Sequence, residues 1–362
     1  MIKRVYPAND KVLNFKFVQN DVDFIVEEQP IKFSSYGNFL ILKIKKQNCD
    51  TWELIDRLSK FLGVYSSDIG YAGLKDKRAT TIQYISIPKK YQKEIKNFKS
   101  KKIEILDTFL HNKKLNIGDL KGNRFKINLH ELELEELFHI EKLLKFVSKN
   151  GFPNYFGYQR FGKDVKENLE KAKDLLFGDA IIKDRKVAKM LLSAYQSTFF
   201  NAWLVERLKL DNSGFKLLDG DIFYDIKNEK LFTPKSINEK IIEDFKEKLI
   251  TPTGLLPGRD VFKAKDDALK IEQKYDDSEI TEKGYRREAV VFPEILSSKY
   301  DKLNKSCSLD FILPKGSYAT VLIELLANRN FGWNTRFKNI FVSSKNSGFN
   351  HYFFMEELYN LS

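Results

Sequence analysis

The chain has 362 residues, 42% hydrophobic and 14% aromatic, enough apolar material for two or so folded domains and too much for a disordered polymer. Lys and Arg number 62 against 50 Asp and Glu, and the resulting charge of +12 favours polyanionic partners through steering and counterion release. Cys49 and Cys307 lie far apart with no C-x-x-C and no histidine at ligand spacing, which argues against a disulfide framework or a zinc site. The start, MIKRVYPANDK, lacks the apolar core of a signal peptide, and no apolar run is long enough to span a bilayer. The expectation is a soluble protein of the reducing cytoplasm.

Residues 15–18 and 23–28 (DFIVEE) read as short strands, and residues 37–45 (GNFLILKIK) as a longer apolar strand with lysines toward its end. Asp50 can cap a helix with Glu53 three residues on, and Trp52, Leu54, Ile55, Leu58, Phe61 and Leu62 make an apolar stripe ending near Gly63. This helix is expected to cover one face of a sheet. Residues 70–88, GYAGLKDKRATTIQYISIP, organise the rest. Their second half alternates as a strand does, with Thr81, Gln83, Ile85 and Ile87 on one face. At its mouth, Lys75, Asp76, Lys77 and Arg78 follow Gly73, and a lone acid among three cations is expected to stay ionised with a lowered pKa. On pattern alone this is a solvated turn.

Residues 89–102 hold seven lysines and one acid, Glu94, interleaved with Tyr91, Ile95 and Phe98; such a run is either a solvated face or a contact for an RNA backbone. Gly118 and Gly122 punctuate a turn before an alternating strand at residues 124–129. Residues 131–149 are amphipathic, with Leu134, Leu137, Phe138, Ile140, Leu143, Leu144 and Val147 read as facing inward. Helical stretches follow at residues 165–177 and 188–209. A strand at 308–313 and an apolar helix at 317–328 containing Glu324 precede an aromatic tail through Met355.

Several strings together resemble the TruD family of tRNA pseudouridine synthases. They are A-G-x-K-D-x-x-A-x-T-x-Q at residues 72–83, D-F-x-V-x-E at 23–28, H-x-x-K-L-x-x-G-x-L-x-G-N-x-F at 111–125, PNYFG with QRFG at 153–162, and F-x-L-P-x-G-S-Y-A-T at 311–320. SAYQS at 193–197 with Asn201, PTGLLPG at 252–258 and GYRRE at 284–288 are also TruD-like. The resemblance implies a mixed, largely antiparallel α+β pseudouridine synthase domain over residues 1–151 and 293–362, interrupted by an α/β TRUD domain over residues 152–292.

It further implies isomerisation of a tRNA uridine, at position 13, to pseudouridine, with Asp76 as nucleophile. Phe24, Asn123, Phe125 and Tyr318 would serve the uridine pocket, Lys75 the nucleophile's loop, and Arg160 a phosphate or sugar. An Asn amide can hydrogen-bond a pyrimidine edge, and a Phe ring can stack on an extruded base. The reaction oxidises nothing, so no cofactor and no metal are expected, and the partner is tRNA bound by a cytoplasmic monomer. Whether the carboxylate attacks C6, attacks C1′ or removes the 2′ proton is open. Where family members carry a basic residue a few positions before D-F this chain has Val18, with Lys16 two residues earlier, and Lys75, Lys77 or Arg78 could orient Asp76 instead. The competing classes are a non-catalytic RNA-binding or chaperone protein on the same fold and a metal-dependent nuclease, the latter disfavoured by the lack of a carboxylate cluster at ligand spacing.

Overall fold

A computed structural model describes residues 3–162 and 164–331, so the aromatic tail through Met355 lies outside the described residues. The described chain forms a mixed α+β protein in two compact units. The first comprises Asn14–Leu144 and Pro293–Gly316. Its nine strands are β1 (Lys16–Phe17), β2 (Phe24–Pro30), β3 (Phe39–Gln47), β4 (Gly70–Tyr71), β5 (Thr80–Pro88), β6 (Ile103–His111), β7 (Leu120–His130), β8 (Glu294–Asp301) and β9 (Ser306–Pro314). They make one sheet in the order β8-β9-β7-β2-β5-β3-β6, with β1 added to β7 and β4 to β5. Every pairing is antiparallel except β2 with β5.

A parallel pair needs a crossover, and here β3, the helix α1 (Thr51–Leu62) and the loop carrying Asp76 supply it. α1 starts where the sequence places it: Asp50 accepts the Glu53 amide at 2.8 Å, and Gly63, at φ 64°, closes the last turn in the left-handed conformation. Leu54, Ile55, Leu58 and Leu62 pack on Leu42, Ile44, Ile85 and Ile87, so α1 covers one sheet face. Trp52 and Phe61 depart from the expected inward stripe. They are 52% and 43% exposed and rest edge-on against Tyr71 and Phe98. In the helix α2 (Leu134–Asn150), likewise, Leu134 and Phe138 point to solvent while Leu137, Ile140, Leu143, Leu144 and Val147 are buried.

The second unit comprises the chain up to Leu13, Lys145–Phe292 and the chain from Ser317. It holds the helices Val165–Phe177 and Arg185–Leu208, and a four-stranded antiparallel sheet in the order Lys230–Phe232, Ile222–Asp225, Ile250–Leu256, Tyr285–Glu288. The helix Ala319–Ala327 is buried along its whole length. Its Glu324 is held there by Arg4 and by the Tyr6 hydroxyl at 2.9 Å. Arg207 and Asp221 form a second buried pair, with two hydrogen bonds of 2.7 and 2.9 Å.

Candidate active site

Strand register decides which side chains share a face, because partners directly opposite project to the same side. Across β2 and β7, Phe24 lies opposite Ile127, Val26 opposite Phe125, and Glu28 opposite Asn123. β9 sets Phe311 opposite Phe125 and Leu313 opposite Asn123. β5 sets Thr81 beside Val26, and β3 sets Lys46 opposite Thr81 and Ile44 opposite Gln83. One face of the sheet therefore gathers Phe24, Glu28, Lys46, Thr81, Gln83, Asn123, Phe125 and Phe311. It is the face that α1 covers at its β3–β5 end.

The loop ahead of β5 is fastened at three points, one on this face and two on α1. The Lys75 amide donates to Thr51 Oγ1 at 2.9 Å, and that hydroxyl donates to Gln83 Oε1 at 3.2 Å. Lys75 Nζ pairs with Glu28 at 2.7 Å, both side chains buried. The β2–β5 ladder stops after Glu27 and Ile82, and the Glu28 carboxylate takes the Tyr84 amide at 2.7 Å, a donor the shortened ladder leaves over. Farther along, Lys77 reaches Glu53 at 3.4 Å.

Asp76 is exposed at the outer end of this arrangement and accepts from Gln19 Nε2 at 3.3 Å. Its pKa is raised, against the expectation that three neighbouring cations would lower it. Protein packed around the carboxyl removes hydration, and the positive charges of Lys46 and Lys75 and the Gln19 amide only partly offset that loss. Nor does Lys16 take the place of the basic residue missing at Val18: it pairs with Glu131 at 3.4 Å on the surface. A neutral amide, Gln19, reaches Asp76 from that segment. Lys46 was not singled out by sequence, where it reads as a solvated lysine at the end of an apolar strand. It is in fact 1% exposed, and burial lowers its pKa to about 8.

Phe24, Phe125 and Phe311 stand in a row, with ring centroids 6.0 Å apart for the first two and 5.5 Å, nearly parallel, for the last two. Phe125 keeps 6% of its surface open. Asn123 is half-buried, and its Oδ1, like Thr81 Oγ1 and Gln83 Nε2, has no hydrogen-bond partner among the described residues. Buried polar atoms are rarely left so; Thr81 and Gln83 are fully enclosed, and Asn123 is the one of the three whose residue reaches the surface.

Arg160 and Tyr318 belong to the other unit. Arg160 donates to Ser197 Oγ at 3.1 Å, to the Ser193 carbonyl at 3.2 Å and to Ser193 Oγ, with its guanidinium 5.4 Å from the Phe156 ring centre. Tyr318 stands edge-on to the same ring, and a Cβ on Gly157 would lie 2.8 Å from it, which explains the glycine. Arg287 stacks 3.9 Å over Phe156 and donates to Asn154, while Asn201 holds both polar atoms of the Phe156 backbone. The strings around residues 153–162, 193–201, 284–288 and 318 thus knit to one another.

Two recesses, of about 650 and 950 Å³, follow the lysine run, lined among others by Lys45, Lys99 and Lys102 and by Lys89, Lys90 and Lys93. Among the described residues no group of His, Cys, Asp and Glu could hold a metal ion, and no helix is long and apolar enough to cross a membrane.

The sequence model of tRNA pseudouridine synthase D (TruD) matches residues 3–184 and 180–325. Among curated relatives, the tRNA pseudouridine synthase D of Wolinella succinogenes is 40% identical, covering 91% of this chain and 99% of its own. That of Nitratiruptor sp. is 38% identical, covering 90% and 98%. A crystal structure of the putative tRNA pseudouridine synthase D (TruD) from Methanosarcina mazei superposes with a TM-score of 0.68 over 91% of this chain and 97% of that one; at 23% identity it speaks for the fold alone.

Proposed function

This chain belongs to the TruD family of tRNA pseudouridine synthases, and from that premise we propose that Asp76 is the carboxylate on which its isomerisation of a tRNA uridine to pseudouridine depends. The reaction breaks the bond from N1 to C1′, joins C5 to C1′, and moves a proton from C5 to N1, with no net oxidation. A carboxylate suits each way of starting it: addition at C6, displacement at C1′, or removal of the 2′ proton. The observation that carries the reading is the environment of Asp76. It is the exposed end of a loop pinned by Thr51 to α1 and by Glu28 to the sheet face, and among the described residues one long hydrogen bond engages it.

In this reading Asn123 Oδ1 accepts a donor of the uracil edge, and the open edge of Phe125, backed by Phe24 and Phe311, meets the extruded base. Lys75 aims the loop through Glu28, and Tyr318 contributes an aromatic surface. Arg160 has its donors on Ser193 and Ser197 and is assigned to holding its own string. The substrate is the uridine at position 13. The enzyme works as a cytoplasmic monomer without a cofactor or metal, and residues 152–292 are the TRUD insertion in a synthase domain of residues 1–151 and 293–362. The test is Asp76→Asn assayed on a tRNA transcript. Product is expected to vanish while tRNA affinity holds. Product from a variant shown by mass spectrometry to be free of deamidation overturns the assignment, and a parent protein that binds tRNA but forms no pseudouridine supports the RNA-binding class instead.

A further inference from the structure

We propose that Lys46 is the supporting cation of this site: its buried ammonium is the counter-charge that stabilises the Asp76 carboxylate from a distance, without touching it. The inference rests on the reading of Asp76 given above. A lysine 1% exposed has given up its hydration, which is costly unless an opposite charge and hydrogen bonds replace it. Lys46 Nζ donates to the carbonyl of Cys49, yet among the described residues no carboxylate lies within ion-pair distance of it.

Of the neighbouring cations, Lys75 is engaged by Glu28, Lys77 by Glu53 and Lys16 by Glu131, while Arg78 is exposed to solvent and so keeps its hydration. The groups that favour a charged Lys46 are the Cys49 thiol, Asp50, whose carboxylate caps α1 through the Glu53 amide, and Asp76. Lys75 opposes it, and Asp21, nearby through Asn48, is held by that amide at 2.7 Å. The field runs both ways, for Lys46 leads the charges that favour an ionised Asp76. Geometry explains how. Lys46 faces Thr81 on the strand that Asp76's loop enters, on the same sheet face as Glu28 and beneath the start of α1.

The test compares parent, Lys46→Met and Lys46→Arg in pseudouridine formation across pH, in tRNA binding and in thermal melting. For Lys46→Met we expect turnover to fall about 10²-fold, as when one preorganised electrostatic group is removed. The acid limb of kcat/KM should move to higher pH, tRNA affinity should stay within about twofold of the parent, and the melting temperature should not fall, because a buried charge has gone. Lys46→Arg should recover part of the turnover and return the acid limb. A Met variant with the parental acid limb, or Arg and Met variants equally impaired and both less heat-stable, overturns the proposal and leaves Lys46 a structural residue. Should the Met variant fail to fold, carbon-13 NMR of the Asp76 carboxyl in the parent decides. A second, small inflection near the pH where Lys46 loses its proton is expected, and a single inflection overturns the proposal. An active Asp76→Asn would instead sink the underlying reading, whereas an inactive Asp76→Asn beside a Met variant of parental profile sinks this inference alone.

Discussion

Asp76 and Arg160 each stand in a dense motif string, one in each compact unit, and their surroundings are opposite in kind. Arg160 and its neighbour Arg287 are satisfied: serine hydroxyls, carbonyls and the faces of Phe156 occupy them. On the sheet face to which the Asp76 loop is tied, Thr81, Gln83 and Asn123 each keep a polar atom without a partner among the described residues, and among those residues Asp76 accepts one bond, of 3.3 Å. A motif marks a position that resists change, and polar satisfaction tells whether the resistance comes from the fold or from a ligand.

The largest effect expected is that of Asp76→Asn, a loss of turnover of at least about 10⁴-fold, since no other group of the loop is a carboxylate. The same change should stabilise the fold. Protein packed around the carboxyl raises the native pKa of the otherwise exposed Asp76, so the native state holds more protons than the unfolded one between the ordinary carboxyl pKa and the higher native value. Stability therefore falls as pH rises through that window. The Asn variant should melt above the parent at neutral pH, with the gap closing below the ordinary carboxyl pKa. A variant that melts lower at pH 7 would place Asp76 among the structural residues.

Phe125→Ala straddles the two kinds. Its ring is packed between Phe24 and Phe311, so truncation should cost about 3–5 kcal/mol in denaturant unfolding. Turnover of the molecules that remain folded should drop as well. Loss of stability with unchanged turnover would make it core alone.

For Arg160→Met the comparison predicts a loss of roughly 2 kcal/mol of stability, with turnover per folded molecule and tRNA affinity near parental. Weakened tRNA binding at unchanged stability would show that Arg160 spends its charge on a phosphate. The smallest effect belongs to the lysine run. Neutralising Lys93, Lys96 and Lys99 should lower the slope of log affinity against log salt by roughly one for each phosphate that the protein no longer neutralises. A parental slope would make the run a solvated face.

Much of the sheet was legible because its strands alternate or run apolar between clear breakers, and α1 because Asp50 and Gly63 bracket it. β6 and β8 were not. Both lie at the two ends of the sheet, and IEILDTFLH and EILSSKYD carry exposed charges on an edge that need not alternate cleanly. Trp52, Phe61, Leu134 and Phe138 were misplaced because an apolar residue near the margin of a helical stripe is assigned by neighbours it shares with the core. Asp76, Asn123 and Phe125 were found through motif strings. Lys46 and Gln19 were missed, since the proximity of residues 19, 46 and 76 depends on a crossover and a strand register that spacing along the chain does not reveal.

The placement of β9 has a consequence in time. β7 emerges from the ribosome with β2 already made, but its other neighbour begins at Ser306, and at about 5–20 residues per second roughly ten to thirty seconds separate the two during synthesis. Through that interval the outer edge of β7 is an open template and Phe125 lacks its stacking partner Phe311. A nascent chain can hold the Asp76 loop against β2 before β9 exists, and a chain stalled before Ser306, with that strand edge still open, is a candidate for chaperone capture.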